Sequence, residues 1–267
     1  MTRLLTCVVA IVITVGLVVR VDAQRAGGPA APPRAPRAAA PIDLTGSWVS
    51  IVTQDWRLRM LTPGKGDYQG VQMTPEARKI ADAWDPAKDE AAGEQCKSYG
   101  APALMSVPGR LRISWQDDST LKVETDAGTQ TRLLVFGSSQ GGAAAPRSWQ
   151  GTSTAQWQTP RPNVPLLLRP AERAAGAPPI RPIGGSLRVV TNNLRAGYLR
   201  KNGVPFSENA TLTEHWDLSK LPNGQEWLTI TTELTDPQYL RGPRLTAPVF
   251  RKEPNNAKWD PSPCSAR

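Results

Sequence analysis

Hydrophobic and polar residues alternate along most of the chain. In Leu111-Arg112-Ile113-Ser114-Trp115 and in Trp227-Leu228-Thr229-Ile230-Thr231-Thr232, apolar side chains recur at every second position. This period places one apolar face on an extended strand, and the same pattern recurs near 121–124, 129–135, 187–189 and 211–217. The pattern therefore predicts a chain built mainly of short strands.

Turn residues separate these strands at short intervals. The separating segments are Asp117-Asp118-Ser119, Ala127-Gly128, Asn202-Gly203 and Pro222-Asn223-Gly224. Asn-Gly is the strongest of these signals, because both residues tolerate the positive φ of a tight hairpin turn. Successive hairpins predict an antiparallel meander.

A long meander with open edges invites aggregation, so closure is favoured. The sequence therefore predicts an all-β fold, an antiparallel meander closing into a β-barrel of about 8–10 strands. A two-sheet sandwich is the alternative.

One helix is predicted, over about 74–84. Thr74 is a suitable N-cap, Pro75 suits the first helical position, and Glu76 favours the positive end of the helix dipole. Ala77, Ile80, Ala81 and Trp84 form an apolar stripe before Asp85-Pro86 ends the helix. A further turn or two is expected between Ala87 and Cys96.

The N-terminal segment has the pattern of a secretory signal peptide. Arg3 precedes an almost wholly apolar run over 4–19, and Val21-Asp22-Ala23 predicts cleavage after Ala23. An uncleaved anchor is the alternative, but the run is shorter than the roughly 20 apolar residues of a span. With a composition rich in Arg, Ala, Gly and Pro, this predicts a bacterial periplasmic or secreted protein with no membrane span after cleavage.

Two further segments lack periodicity. Residues 24–41 predict a disordered Ala/Pro/Arg arm, and about 160–185 predicts a Pro-rich insert in a single barrel domain spanning 42–267. Much of the net charge of +9 lies in them, since the arm carries three arginines and no acid, and the insert four arginines and one glutamate. Nucleic-acid binding would concentrate charge on a folded face, so it is not expected.

Two cysteines, Cys96 and Cys264, remain once the signal segment with Cys7 is removed. An even number of cysteines in an exported chain predicts a disulfide. Two unlinked thiols are the alternative. With one histidine and no cysteine cluster, neither a metal site nor a cofactor is expected.

The entry to the first strand, Gly46-Ser47-Trp48, resembles the first signature of lipocalin-like (calycin) barrels. That resemblance implies a tryptophan that closes the base of the barrel against a late arginine, for which Arg241, Arg244 and Arg251 are candidates. The chain also resembles an uncharacterised family of exported bacterial proteins. The segments 84–90, 107–111, 115–118 and 197–205 carry this second resemblance, which implies a compartment and a shape.

Nine tryptophans against three phenylalanines predict either a packed aromatic core or an aromatic-lined cavity for a partly apolar molecule. The hairpin near 195–208 adds polar groups that a ligand could contact. The candidate ligand-binding residues are Trp48, Arg57, Tyr198, Arg200, Glu214 and Trp216.

Three functions follow as hypotheses. The first is an exported barrel that binds a small, partly apolar molecule. The second is a structural or interaction protein of the cell envelope that uses the arm and the insert. The third is an enzyme on the same barrel that uses Glu214, His215 and Asp217, although alternation sets Glu214 apart from the other two. The oligomeric state is not predicted.

Overall fold

The alternating segments form twelve β-strands in the computed structural model, which describes residues 34–137, 146–159 and 184–267. Ten strands belong to one sheet, and two short ones form a separate ribbon. In chain order the strands are β1 (Gly46–Ile51), β2 (Arg110–Asp117), β3 (Thr120–Thr125), β4 (Thr131–Phe136), β5 (Thr152–Gln158), β6 (Ser186–Asn192), β7 (Gly197–Tyr198), β8 (Pro205–Phe206), β9 (Thr211–Lys220), β10 (Glu226–Thr235), β11 (Arg244–Thr246) and β12 (Val249–Glu253).

Nine of these strands close into a barrel, which confirms the predicted fold class. The order is β1, β2, β3, β4, β5, β6, β9, β10 and β12, and β12 pairs again with β1. Strand β11 pairs with β10 as an additional strand. The expected meander is broken once, because β4 and β5 run parallel.

The predicted strand faces are confirmed on β9 and β10. Glu214 and Trp216 are buried while His215 and Asp217 on the opposite face are not, and Leu228 and Ile230 point inwards with them. Predicted turns also lie where expected, including 117–119 between β2 and β3. Local alternation was therefore sufficient to assign the interior of these strands.

The helices differ from the prediction in number. The predicted helix exists as α2 (Pro75–Ala83), whose first turn is capped by a 3.2 Å bond from Ala77 N to Thr74 Oγ1. The described residues hold three more helices and a 3-10 helix, and two of these four segments fall at the further turn or two expected between Ala87 and Cys96. These are α1 (Trp56–Met60), α3 (Pro86–Ala91), α4 (Ala101–Leu104) and the 3-10 helix (Gln95–Tyr99). Each has only four to six residues, too few to show a helical period.

These helices and the β7–β8 hairpin form a cap over what we call the upper end of the barrel, the end at which β1 finishes. A second apolar core that includes Leu199, Val204 and Phe206 lies in the cap. The predicted disulfide between Cys96 and Cys264 is present, with a Cα–Cα distance of 5.1 Å. It links the 3-10 helix of the cap to the C-terminal segment.

The opposite, lower end contains the resemblance motif. Trp48 is fully buried, and its indole donates to Leu44 O at 3.0 Å. The cation over its ring is Lys252, at 5.3 Å from the centroid, rather than Arg241, Arg244 or Arg251. Lys252 stands directly opposite Trp48 across the β1–β12 pair, which explains the contact.

Residues 34–41 of the predicted disordered arm pack on the lower end. The indole of Trp157 donates to Pro36 O at 2.8 Å, and Arg37 N donates to Asp118 O at 3.0 Å. Trp157 also contacts Phe136, at a ring-centroid distance of 5.1 Å. The disordered-arm prediction does not hold for this part, because composition gave no sign of these backbone contacts.

Other predictions lie outside the described residues. These are the signal peptide over 1–23, the arm over 24–33 and nearly all of the Pro-rich insert. Of the helices in the described ranges, none combines the length and the apolar character that crossing a bilayer requires.

Candidate functional site

Three of the six predicted ligand-binding residues lie in the packed interior of the barrel. Trp48, Glu214 and Trp216 each have no exposed surface. As alternation predicted, Glu214 points inwards whereas His215 and Asp217 lie on the outer face. His215 Nδ1 lies 3.3 Å from Gln158 Oε1 of β5, on the far side of the intervening strand β6. The three side chains therefore form no common site.

Glu214 forms a buried ion pair with Arg132 of β4. The guanidinium donates two bonds to the carboxylate, at 3.0 Å and 2.6 Å, and a third to Thr191 Oγ1 at 3.2 Å. Ser153 Oγ and Thr191 Oγ1 complete the cluster at 2.7 Å from each other. The bidentate pair satisfies the charge of Glu214 internally, so this cluster is a structural element of the barrel.

The other predicted residues lie in the cap. Arg57 donates two 2.9 Å bonds to Asp67, and the ring of Tyr198 lies 5.6 Å from Lys97 Nζ. Arg200 follows Tyr198 by two residues and lines a cleft. Only this last residue belongs to the site described next.

A cleft of about 310 Å³ opens where the cap meets the upper end of the barrel. We call it the cationic cleft. Its walls come from α1 and the segment after it, from α4 and the segment after it, from the β7–β8 hairpin and from β11. Among the described residues, its basic lining residues are Arg59, Arg200, Lys201 and Arg244, and its acidic lining residue is Asp55.

Arg59 is held at the base of α1 by two bonds. Its Nε donates to Ser106 O at 2.9 Å, and its Nη2 donates to Ser50 Oγ at 3.1 Å. Burial lowers the pKa of the Arg59 guanidinium, while the Asp55 carboxylate opposes that shift. Its Nη1 is buried and has no hydrogen-bond partner among the described residues. An uncompensated buried donor of this kind is uncommon in a folded protein.

Arg200 and Arg244 add to the positive charge of the cationic cleft. Arg200 Nη1 donates to Gln69 O at 2.7 Å, and burial lowers the pKa of Arg200. Arg244 begins β11, and within the described part of the chain its guanidinium makes no hydrogen bond or ion pair. Burial and the charge of Arg200 lower the pKa of Arg244 to about 10, with Asp55 opposing them. The cleft thus holds more positive charge than its own carboxylate balances.

Apolar side chains form the rest of the lining. Leu58, Met60, Leu61, Val107 and Leu199 contribute to it. An arrangement of guanidinium groups beside apolar walls suits a molecule with an anionic head and an apolar body.

Sequence reasoning missed most of this site. The alternation in Trp56-Arg57-Leu58-Arg59-Met60 is typical of a strand, but this segment is the helix α1. Asp55, with φ of 52°, adopts the left-handed conformation that starts this helix. Arg59 was not a candidate, and Arg244 was one only as a partner of Trp48, because the two residues come from segments far apart in the chain.

In the described ranges, no three or more histidine, cysteine, aspartate or glutamate side chains are grouped so as to hold a metal ion. The fold and the cleft define a closed nine-stranded β-barrel with a positively charged cavity beneath a helical cap. No protein-family model, curated protein or solved structure matches the chain.

Proposed function

We propose that this chain is an exported binding protein for a small anionic, partly apolar molecule, which it holds in the cationic cleft. The observation that carries the proposal is the buried, unpartnered Nη1 of Arg59, which lies in the same cleft as Arg244, a partly exposed guanidinium without a hydrogen-bond partner in the described structure. A buried donor such as Arg59 Nη1 is costly without a ligand and strong with one, because hydrogen bonds between charged groups exceed neutral ones.

The disulfide supports the proposal that the protein is exported. A bond between Cys96 and Cys264 persists in an oxidising environment such as the periplasm or the exterior of the cell. This agrees with the secretory pattern of residues 1–23.

The proposal keeps the lipocalin-like barrel, but the ligand lies in the cleft at the upper end rather than inside the barrel. In a hollow barrel the ligand would contact Trp48 and Trp216, but both are enclosed by core side chains. The cleft at the upper end instead offers an open cavity with charged groups.

Isothermal titration with octanoate and octyl phosphate tests the proposal. We expect both anions to bind, and octanol and octyltrimethylammonium to bind far more weakly. Arg244→Met should lower the affinity for octanoate by about tenfold or more, because a charge-assisted bond is lost. Arg251→Met is the matched control, since Arg251 is an exposed residue on the outer face of β12. Equal binding of the anions to both variants and the native protein would exclude the cleft.

The same substitution should stabilise the ligand-free protein. The pKa of Arg244 is lower when folded than when unfolded, so its charged form opposes folding at any pH below about 10. This opposition begins to fall as the pH rises through about 10, where folded Arg244 starts to lose its proton, and it is gone only above the higher pKa of the unfolded chain. At neutral pH, Arg244→Met should therefore raise the free energy of unfolding by about 1 kcal/mol, a modest value because the side chain is partly open to solvent.

Urea unfolding at neutral pH without ligand measures this gain, with Arg251→Met again as the control. A loss of stability in Arg244→Met would show that the guanidinium serves packing rather than a ligand.

A further inference from the structure

Exposed apolar side chains stand on the two chain segments that line the cationic cleft. Trp56 is 64 % exposed, Met60 59 %, Leu61 61 % and Leu245 68 %, and we call these four residues the apolar rim. In the described part of the chain they are four of the five large hydrophobic residues that are exposed. Exposed hydrophobic residues scattered singly are ordinary, whereas their concentration at one place indicates an interaction surface.

The rim and the cleft are continuous. Met60 and Leu61 line the cleft themselves, and Trp56 directly follows the cleft residue Asp55. Leu245 stands between Arg244 and Thr246, two further lining residues, and points to the other face of β11.

A pair of hydrogen bonds joins the two halves of the rim. Gln54 Nε2 donates to Ala247 O at 2.8 Å, and Ala247 N donates to Gln54 Oε1 at 3.3 Å. The segment that leads into α1 is thereby held against the segment that follows β11.

We infer that the apolar rim contacts a lipid bilayer that contains anionic headgroups. The positive charge next to the rim favours an anionic membrane over other binding partners. The apolar side chains stand beside the basic lining of the cleft, and Trp and Leu beside cations are typical of the membrane interface. Each basic residue near an anionic bilayer adds attraction, which a neutral surface does not provide.

This inference deepens the proposed function and rests on it in one respect. The cleft would receive the anionic headgroup of an amphiphile, while the rim would hold the protein at the surface from which that amphiphile is taken. Contact of the rim with the bilayer does not itself require occupancy of the cleft.

Co-sedimentation with vesicles tests the inference on protein recovered after export. One set of vesicles contains phosphatidylcholine alone, and the other contains phosphatidylcholine with phosphatidylglycerol. We expect sedimentation with the phosphatidylglycerol vesicles only, weakening as salt is added. Trp56→Ser combined with Leu61→Ser should reduce partitioning by about tenfold, because both apolar contacts are lost.

Leu133→Ser is the matched control, since Leu133 is an exposed apolar residue on the outer face of β4, away from the rim. It should partition as the native protein does. Vesicle binding that the rim substitutions leave unchanged would overturn the inference, as would equal binding to vesicles without phosphatidylglycerol. A native dimer in sedimentation velocity that becomes monomeric in the rim variant would also overturn it, because a second copy would then cover the rim.

Failure of this inference is distinguishable from failure of the proposed function. Octanoate is soluble and needs no bilayer, so its Arg244-dependent binding can persist when vesicle binding is absent. Conversely, vesicle binding that depends on the rim but accompanies no octanoate binding would retain the membrane contact and exclude the cleft.

Discussion

Glu214→Ala is expected to destabilise the barrel by about 3–5 kcal/mol, because it leaves Arg132 charged and buried without its partner. Both side chains have no exposed surface, and the pair is joined by bonds of 3.0 Å and 2.6 Å. Thr191 Oγ1 accepts a bond from Arg132 but carries no charge. The cost therefore comes from the uncompensated guanidinium as much as from the lost bonds.

Urea unfolding, followed by tryptophan fluorescence, measures this loss. Glu124→Ala is the matched control, because Glu124 lies on the outer face of β3 and pairs with Lys122 at 3.2 Å where solvent reaches both. That surface pair should contribute less than about 1 kcal/mol. A loss for Glu214→Ala no greater than the loss for Glu124→Ala would contradict the buried-pair argument.

A double replacement measures what the ion pair contributes apart from the cost of one unpaired buried charge. Arg132→Met with Glu214→Leu removes both charges and keeps apolar volume, and such replacements are often neutral or stabilising. We expect it to recover most of the stability lost in Glu214→Ala. This variant also provides a measurement where Glu214→Ala alone does not accumulate as folded protein.

Local rules predicted those parts of the fold that depend on neighbours in sequence. Thr74 and Pro75 define the start of α2 through a capping bond and a fixed φ, and both are readable without the rest of the chain. The inward face of β9 follows from alternation alone, because a period of two leaves only two choices.

Arg132 is a residue whose inward orientation alternation does not predict. Alternation on β4 offers one face with Leu133 and Val135 and another with Arg132, Leu134 and Phe136, so the apolar count is equal and does not choose between them. The barrel buries the second and leaves Leu133 41 % exposed. The choice depends on Glu214, which is 82 residues away in sequence and reaches Arg132 only after the strands have paired.

The cleft was beyond sequence reasoning for the same reason. Arg59, Arg200 and Arg244 come from α1, a hairpin tip and an additional edge strand, and none of the three has a motif around it. Only Arg200 was selected as a ligand-binding candidate, from its position near the predicted Asn202-Gly203 turn. That turn is confirmed, since Leu199 N donates to Val204 O at 2.7 Å across it.

The second large effect is expected from removal of the disulfide. Cys96→Ala combined with Cys264→Ala should lower the free energy of unfolding by about 4–5 kcal/mol, because the bond closes a very long loop in the unfolded chain. The two cysteines are 168 residues apart in sequence. For a domain of this size, that loss corresponds to a fall in Tm of about 10 °C.

Thermal unfolding with and without reductant provides the measurement and its control. Reductant should lower the Tm of the native protein towards that of the double alanine variant, and should leave the variant itself unchanged. A variant with the Tm of the oxidised native protein would show that noncovalent contacts suffice to hold the C-terminal segment. Those contacts include bonds from Ser262 N to Asp126 O at 2.9 Å and from Thr129 Oγ1 to Ser262 O at 2.9 Å.

The same double substitution should also weaken ligand binding in the cationic cleft. Ser98, two residues after Cys96, lines it, and Lys201 of its lining donates to Arg267 O at 3.0 Å near the C-terminus. Without the disulfide the 3-10 helix and the C-terminal segment lose their covalent link, so this wall is held by weaker contacts. Octanoate affinity should therefore fall in the double alanine variant even where it is fully folded. Unchanged affinity with a lowered Tm would assign the disulfide to global stability alone and leave the cleft to be organised by Arg59 and β11.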